Sequence, residues 1–596
     1  MPARLNTVSL LVLTLAALLA AGSQARATGS VGGSSTSEDP SPSDERPNVV
    51  LILADDMGYS DIASYGGSIE TPNLSRLSEE GLRFTQFYNT ARCVPTRASL
   101  LTGLYPHQAG LGHMTGDDEI PGYRGDLNDR SVTIAEVLGE AGYSTYMSGK
   151  WHVTQFETES PDRSNWPRQR GFDRFFGTII GAGSFYDPAG LALGNEYIAP
   201  REAGPEYTNE NFYYTEAISD YAVRYVREHV EREESENEER PFFMYVAYTA
   251  PHWPLHAPQE AVERYDGQFD AGWDVLRRER YERMQEMGLV REEWDLTERD
   301  PEVPPWTEAD DKAWEQRRME VYAAQVTLMD RGIGRLVEAL EERGELENTL
   351  LIFLSDNGGC QEELEWIEWH GHDSQEDVAP PGPRGHQGDL YPPVTRSGEP
   401  IQHGNMPAYM PGPVDTYQSY GRPWANVSNT PYREYKHLVH EGGIATPLIA
   451  HWPEAIDRAG ELERQPGHLV DLMATFVDLA DATYPERWDG EPIRSMEGTS
   501  LLPAFEGEEL AREDPLFFEH EGNRALRDGR WKLVAEGPSG PWELYDMQND
   551  RTEMRNLAER HPDRVERMAE QWRTMAREFN AVPWPHGGAF GADSGE

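Results

Sequence analysis

A chain of 596 residues, 38% hydrophobic and 10% aromatic with 16 tryptophans, is long enough for two domains and has the composition of a globular protein. Its formal net charge of −51 argues against nucleic acid or an anionic membrane surface as partner. Of its 53 basic residues only Lys150, Lys312, Lys436 and Lys532 are lysine. An acidic, lysine-poor surface suits solubility at high salt, where the Debye length falls to about 3 Å at 1 M; compositional drift is the alternative.

The first 27 residues combine an early Arg4, an apolar run from Val8 to Ala21 and an A-x-A end at Ala25 and Ala27, the pattern of a cleaved signal peptide. The apolar run is shorter than the roughly 20 residues of a membrane span. Residues 28–45 are rich in Gly, Ser and Pro and read as a disordered linker. The expected product is soluble and exported, periplasmic or secreted, and so meets an oxidising compartment.

The folded region opens with PNVVLILADDMG, in which Asn48 to Ala54 is an unbroken apolar run, as in a parallel strand buried on both faces. It ends in Asp55 and Asp56. The pattern recurs: YSTYMSGKWH ends with Lys150 and His152, PFFMYVAYTAPHWP delivers His252, and NTLLIFLSDNGG ends with Asp356 and Asn357. Amphipathic helical stretches such as SVTIAEVLGEAG separate these runs, which predicts an α/β fold with a large, mostly parallel, doubly wound sheet. Ligands of such sheets bind beyond the carboxyl ends of the strands, so the four strand ends converge on one crevice. Asp55, Asp56, Asp356 and Asn357 offer only hard oxygen ligands, which suits Ca²⁺ or Mg²⁺ rather than zinc.

One of the two cysteines stands in ARCVPTRASLLTG. A disulfide with Cys360, an inert buried thiol and a reactive atom are the three readings of Cys93. Pro95 fits a first helical turn and Gly103 a helix end, so Cys93 falls at a helix N-terminus, where free N–H groups attract anions. Arg97, four residues on, shares its face.

C-x-P-x-R followed by ASLLTG resembles the signature of type I sulfatases, in the alkaline phosphatase superfamily. The likeness runs from about residue 46 to 560 and includes NVVLILADDMGYSD, GKWH, SDNGG, YKHLVHEGGIATPLIAHWP and a C-terminal ALRDGRWKLV. It implies that Cys93 is converted by a maturation enzyme to Cα-formylglycine (3-oxoalanine), an aldehyde whose hydrate has one hydroxyl to attack sulfur and a second to expel sulfate. A bridge to Cys360 would consume that sulfur, so Cys360 is expected to be an unpaired thiol.

By the same resemblance, Asp55, Asp56, Asp356 and Asn357 hold one Ca²⁺ per chain, with the hydrate formed from Cys93 as a further ligand. Arg97 orients the hydrate, and Lys150 and Lys436 bind sulfate oxygens. His252 with Lys436 protonates the leaving alcohol, and His152 takes the proton in the release step. The implied activity is an arylsulfatase-like sulfuric ester hydrolase acting on a small-molecule or glycan sulfate ester. A phosphonate or phosphate monoester hydrolase with the same modified cysteine is the rival enzyme. A catalytically silent exported protein that binds sulfated glycans is the rival of another class.

Residues 46–455 are expected to form the catalytic domain. Within it, 361–432 is a long Pro- and Gly-rich loop region that either forms a rim over the site or is a passive excursion, and whose His370 and His372 are a weak second-metal candidate. The charge run between Tyr265 and Trp306 reads as a solvated helix face. Residues 456–582 are expected to form a smaller α+β domain with an antiparallel sheet, and 583–596 a disordered tail.

Overall fold

The computed structural model describes residues 46–158, 161–237, 239–365, 380–581 and 584. The expected signal segment and linker, His370 and His372, and the expected tail from 583 apart from Trp584 lie outside the described residues.

The apolar runs become strands β1 (Asn48–Ala54), β2 (Leu82–Tyr88), β3 (Ser144–Gly149), β4 (Arg174–Thr178), β5 (Leu191–Leu193), β6 (Glu196–Tyr197), β7 (Phe242–Ala247), β8 (Thr349–Ser355), β9 (Ala445–His451), β10 (Leu462–Glu463) and β11 (Gly467–His468). They form one sheet in the order β10-β2-β9-β8-β1-β7-β3-β4-β5-β6, with β11 also on β2. The five central strands from β8 to β4 run parallel. Antiparallel pairing enters on both sides, where β9 lies between β8 and β2 and where β5 and β6 follow β4.

Six helices cover this sheet on its two faces: α1 (Pro72–Glu80), α2 (Cys93–Thr102), α3 (Ile134–Glu140), α4 (Tyr214–Glu236), α5 (Lys312–Arg343) and α6 (Val470–Leu479). Alternation along β1 shows why its sequence is apolar throughout. Val50 and Ile52 join the core under α1, α4 and α5, whereas Val49, Leu51 and Leu53 join the core under α2, α3 and α6. Helix α3 starts on a capping box: Thr133 Oγ1 accepts from Glu136 N (3.1 Å) and the Glu136 carboxylate accepts from Thr133 N (2.7 Å), a device worth about 1 kcal/mol.

Beyond residue 455 the chain first adds β10, β11 and α6 to this large layer. It then builds a second, four-stranded antiparallel sheet from β12 (Leu516–His520), β13 (Asn523–Asp528), β14 (Trp531–Ala535) and β15 (Glu543–Asp546). Helix α7 (Pro562–Phe579) lays Met568, Trp572 and Phe579 against Phe517, Leu526 and Leu533 of this sheet.

Two expectations need correction. The helix Gly272–Glu286 is a solvated charge face only in part: Arg278, Glu279, Glu282 and Glu286 are exposed, but Arg277 and Arg280 are buried. Arg280 pairs with Asp61 Oδ1 at 2.9 Å and Arg277 donates to the carbonyl of Thr297 at 2.6 Å; a guanidinium that saturates buried acceptors can enter a core. The stretch 361–432 is not loop throughout. It holds the helix Gly421–Ser428, whose Trp424 is fully buried, because an indole on one face and Pro423 in the first turn suit a short packed helix.

Candidate active site

The carboxyl ends of β1, β3, β7 and β8 deliver Asp55 and Asp56, Lys150, His252, and Asp356 and Asn357 to one crevice, as the alternation of strands and helices requires. Close backbone approach sets the Lys150 position. Gly149 has φ +116°, and a Cβ there would sit 1.9 Å from the Ala247 carbonyl oxygen. Asp56 (φ 63°) and His152 (φ 55°) hold left-handed backbone conformations that cost non-glycine residues about 1–3 kcal/mol each. Strain of this kind persists where packing over-determines it.

Helix α2 starts at Cys93, after an extended Arg92, and ends at Gly103, which has φ 67° and whose N–H reaches Ser99 O. Every residue of the helix is buried. Cys93 Sγ lies 3.6 Å from Asn357 Oδ1 and 3.9 Å from Asp56 Oδ1. One turn on, Arg97 donates from Nη2 to Asp356 Oδ2 (2.9 Å) and from Nη1 to Lys150 O (3.0 Å). Lys150 Nζ donates to Asp55 Oδ2 (2.6 Å) and Lys436 Nζ to Asp56 Oδ2 (2.9 Å). His252 Nε2 stands 3.3 Å from Asp56 Oδ2 and 3.4 Å from Lys436 Nζ, and its Nδ1 faces the Trp253 carbonyl at 2.6 Å. Direct polar contacts thus join nine of the ten residues anticipated from the sequence. The tenth, His152, borders them with its ring against Gly181.

Three carboxylates and three cations in a dry site set the electrostatics. Burial, with Asp356 beside it, pushes the Asp55 carboxyl up to about 8. Burial would raise Asp56 too, but His252 and Lys436 outweigh it and hold that carboxyl below the usual range. The Cys93 thiol is pushed up to about 12, chiefly by burial, so the encoded side chain is a thiol and a poor nucleophile. Burial and the Lys150 and Arg97 charges hold His152 neutral, well below its ordinary value. Burial, helped by Lys436, lowers His252 to about 4 against the pull of Asp56. Burial would lower Lys436, but Asp56 together with Cys360, Cys93 and Glu362 outweighs it and raises the ammonium well above its ordinary value. At neutral pH Lys436 is the proton carrier of that pair.

A hard cation fits these groups. Asp55 Oδ1 is buried without a hydrogen-bond partner among the described residues. Ligand atoms of Asp55, Asp56, Cys93 and His252 lie within 4.8 Å of one another. The oxygens of Asp55, Asp56, Asp356 and Asn357 are the donors such an ion takes.

Cys93 and Cys360 are both free and buried, so the disulfide reading falls away. The sequence reading missed three contributors. Tyr245 on β7 lies 3.4 Å from Arg97 Nη1. Glu362 accepts from Trp253 Nε1 (2.7 Å) and stands 3.9 Å from Lys436 Nζ. Gly181 leaves the room that the His152 ring fills. Of these, only Glu362 gave a signal, as a charge six residues after Asp356.

Comparison with known proteins covers both sheets. The family profile described as Sulfatase matches residues 47–482, and that described as N-sulphoglucosamine sulphohydrolase, C-terminal, matches 433–578. Similar proteins include an uncharacterized sulfatase of Schizosaccharomyces pombe, 33% identical over 566 residues, covering 91% of this chain and 95% of that one. An arylsulfatase of Klebsiella aerogenes is 33% identical over 471 residues, covering 77% and 91%. A solved structure of Ps i-CgsB in complex with k-i-k-neocarrahexaose has a TM-score of 0.59 at 24% identity, covering 91% and 94%. With a profile match over most of its length and a 33% identical relative spanning nearly all of it, the chain belongs to the sulfatase family of the alkaline phosphatase superfamily.

Proposed function

We propose that the protein is an exported, calcium-dependent arylsulfatase-type enzyme that hydrolyses a sulfate monoester to an alcohol or phenol and inorganic sulfate. The observation that carries this reading is Cys93 at the start of α2, within 3.6–3.9 Å of Asn357 and Asp56 and flanked by Arg97, Lys150 and Lys436. Conversion of Cys93 to formylglycine would supply a hydrated aldehyde, one hydroxyl of which attacks sulfur while the other, on losing its proton, expels sulfate by C–O cleavage. A calcium ion held by Asp55, Asp56, Asp356 and Asn357 supplies positive charge where sulfate oxygens bind.

The chain's own residues perform the remaining work. Arg97, anchored on Asp356 and on the Lys150 carbonyl, holds a fixed positive charge one turn from position 93 and orients the group there. Lys150 and Lys436 draw sulfate oxygens toward the helix N-terminus and stabilise charge that grows in the transition state. Lys436, protonated and 3.4 Å from His252 Nε2, supplies the proton that reaches the departing alkoxide through or beside that ring. His152, neutral, accepts a proton when sulfate is released. The 33% identical Klebsiella arylsulfatase supports an aryl sulfate as the first substrate to try.

Steady-state rates on an aryl sulfate and an aryl phosphonate, with the released phenol as readout, test the reading. Preference for the sulfate is expected. Preference for the phosphonate, or no turnover by protein whose Cys93 is matured, overturns it. Export is tested separately by sequencing the mature N-terminus, expected just after Ala27.

A further inference from the structure

A second cluster of ligand-type side chains lies outside the proposed sulfate site, where the small sheet meets the loop that follows α2. His113 comes from that loop, His520 ends β12, and Glu521 begins the turn to β13 with a left-handed φ of 54°. Glu521 Oε1 lies 3.1 Å from His113 Nε2 and 3.4 Å from His520 Nε2. Ligand atoms of the three residues all fall within 4.8 Å of one another. The His113 and His520 rings face each other at 5.7 Å with 29° between their planes.

Hydrogen bonding accounts for part of this cluster but not for His520. His113 Nε2 makes a good hydrogen bond to Glu521. The second carboxylate oxygen, Oε2, is 2.9 Å from His437 Nδ1, and His437 Nε2 is 2.9 Å from Glu362 Oε1. Arg92 also contacts the His437 ring. His520, by contrast, is fully buried, and neither of its ring nitrogens makes a hydrogen bond with any described residue. A buried polar group left unsatisfied in this way destabilises the fold unless a ligand takes it up. Its Nε2 stands 3.4 Å from Glu521 Oε1 in an alignment that makes no hydrogen bond.

That arrangement has a simple use. Nitrogen and oxygen ligands at about 2.0–2.1 Å from a tetrahedral Zn²⁺ stand roughly 3.3 Å from one another, and the two His–Glu separations of 3.1 and 3.4 Å bracket that edge. We propose that His113, His520 and Glu521 bind a borderline divalent transition-metal ion, zinc by its ligand chemistry, independently of the sulfate site. Two imidazoles and one carboxylate select zinc over calcium or magnesium, which take oxygen ligands. The ion ties the loop after α2 to the β12–β13 turn. The second oxygen of Glu521, Oε2, holds His437, whose carbonyl also accepts from Asn523 Nδ2 at 3.0 Å, so the carboxylate is held in place from its other side.

The test uses full-length, calcium-loaded protein incubated with zinc, desalted and assayed for both metals. One zinc per chain is expected, with a rise in unfolding temperature. Cobalt in its place should give a visible ligand-field band of tetrahedral type. His520→Gln and His113→Gln should each weaken zinc binding at least about tenfold, as loss of a ligand does, and remove the cobalt band, while calcium content stays unchanged. His113 is partly exposed, so its variant answers the question even where His520→Gln does not fold. Absence of retained zinc and cobalt in the parent protein, or retention undiminished by both substitutions, overturns the assignment.

Discussion

Lys436→Arg keeps the charge and changes only its shape. Lys436 Nζ is buried, 2.9 Å from Asp56 Oδ2 and 3.4 Å from His252 Nε2. An ammonium fits between them as a compact point, whereas a planar guanidinium is wider and never gives up a proton. The arginine head can still pair with Asp56, so the fold should hold, but it cannot also occupy the Nζ position beside His252. What is lost is one charged hydrogen bond to the reacting group, about 1.5–3 kcal/mol. That corresponds to about 10- to 150-fold in kcat/KM. Lys312→Arg is the control. Lys312 Nζ lies 5.6 Å over the Trp306 ring and donates to the Thr307 carbonyl at 3.4 Å, contacts that arginine makes equally well. Initial rates on an aryl sulfate, with thermal melts to confirm folding, give the comparison. Equal rates in the two variants would refute the shape argument and leave Lys436 as a mere charge.

Four other predictions follow from the same geometry. In Gly181→Ala the new Cβ would stand 2.0 Å from His152 Cε1, so the ring must move; kcat should fall at least about tenfold, and an unchanged kcat removes His152 from the release step. Lys532, fully buried, donates to Glu441 Oε1 (3.0 Å) and pairs with Glu553 Oε1 (2.8 Å); Lys532→Met should cost about 3–5 kcal/mol by denaturant titration. Although burial opposes it, Lys532 and Arg551 lower the Glu441 carboxyl to about 2, so the stability it contributes is complete above about 4.3 and should be lost as pH falls from there toward 2, a loss that acid titration of the folded state reads directly. Exhaustive chelation should abolish activity and lower the unfolding temperature, with calcium restoring both; full activity in protein shown metal-free by elemental analysis would contradict the ligand role of Asp55, Asp56, Asp356 and Asn357.

The parts of this site that could be read from sequence sit at the ends of strands. β1, β3, β7 and β8 are buried on both faces, so their apolar runs mark themselves, and the polar residues that end them fall on one edge. Cys93 and Gly103 were legible for a related reason, since a helix start and a left-handed helix end each leave a local signature. What stayed hidden is set by contacts between distant segments. Lys532 reads as one polar residue in a strand until it is seen against Glu441 and Glu553. Arg280 reads as surface charge until Asp61 meets it. His520 and Glu521 acquire meaning only when β12 is laid beside the loop carrying His113. The antiparallel placement of β9 in a parallel frame was equally invisible, because its seven buried residues fit either direction.

The central claim is that position 93 acts as an aldehyde, and the mass of one peptide tests it most directly. Trypsin cuts after Arg92 and Arg97, releasing residues 93–97 from protein that has been shown to turn over an aryl sulfate. The account predicts that this peptide carries an aldehyde in place of the thiol, in a fraction that tracks specific activity from one preparation to the next. Active protein whose peptide shows only the unmodified thiol would contradict it.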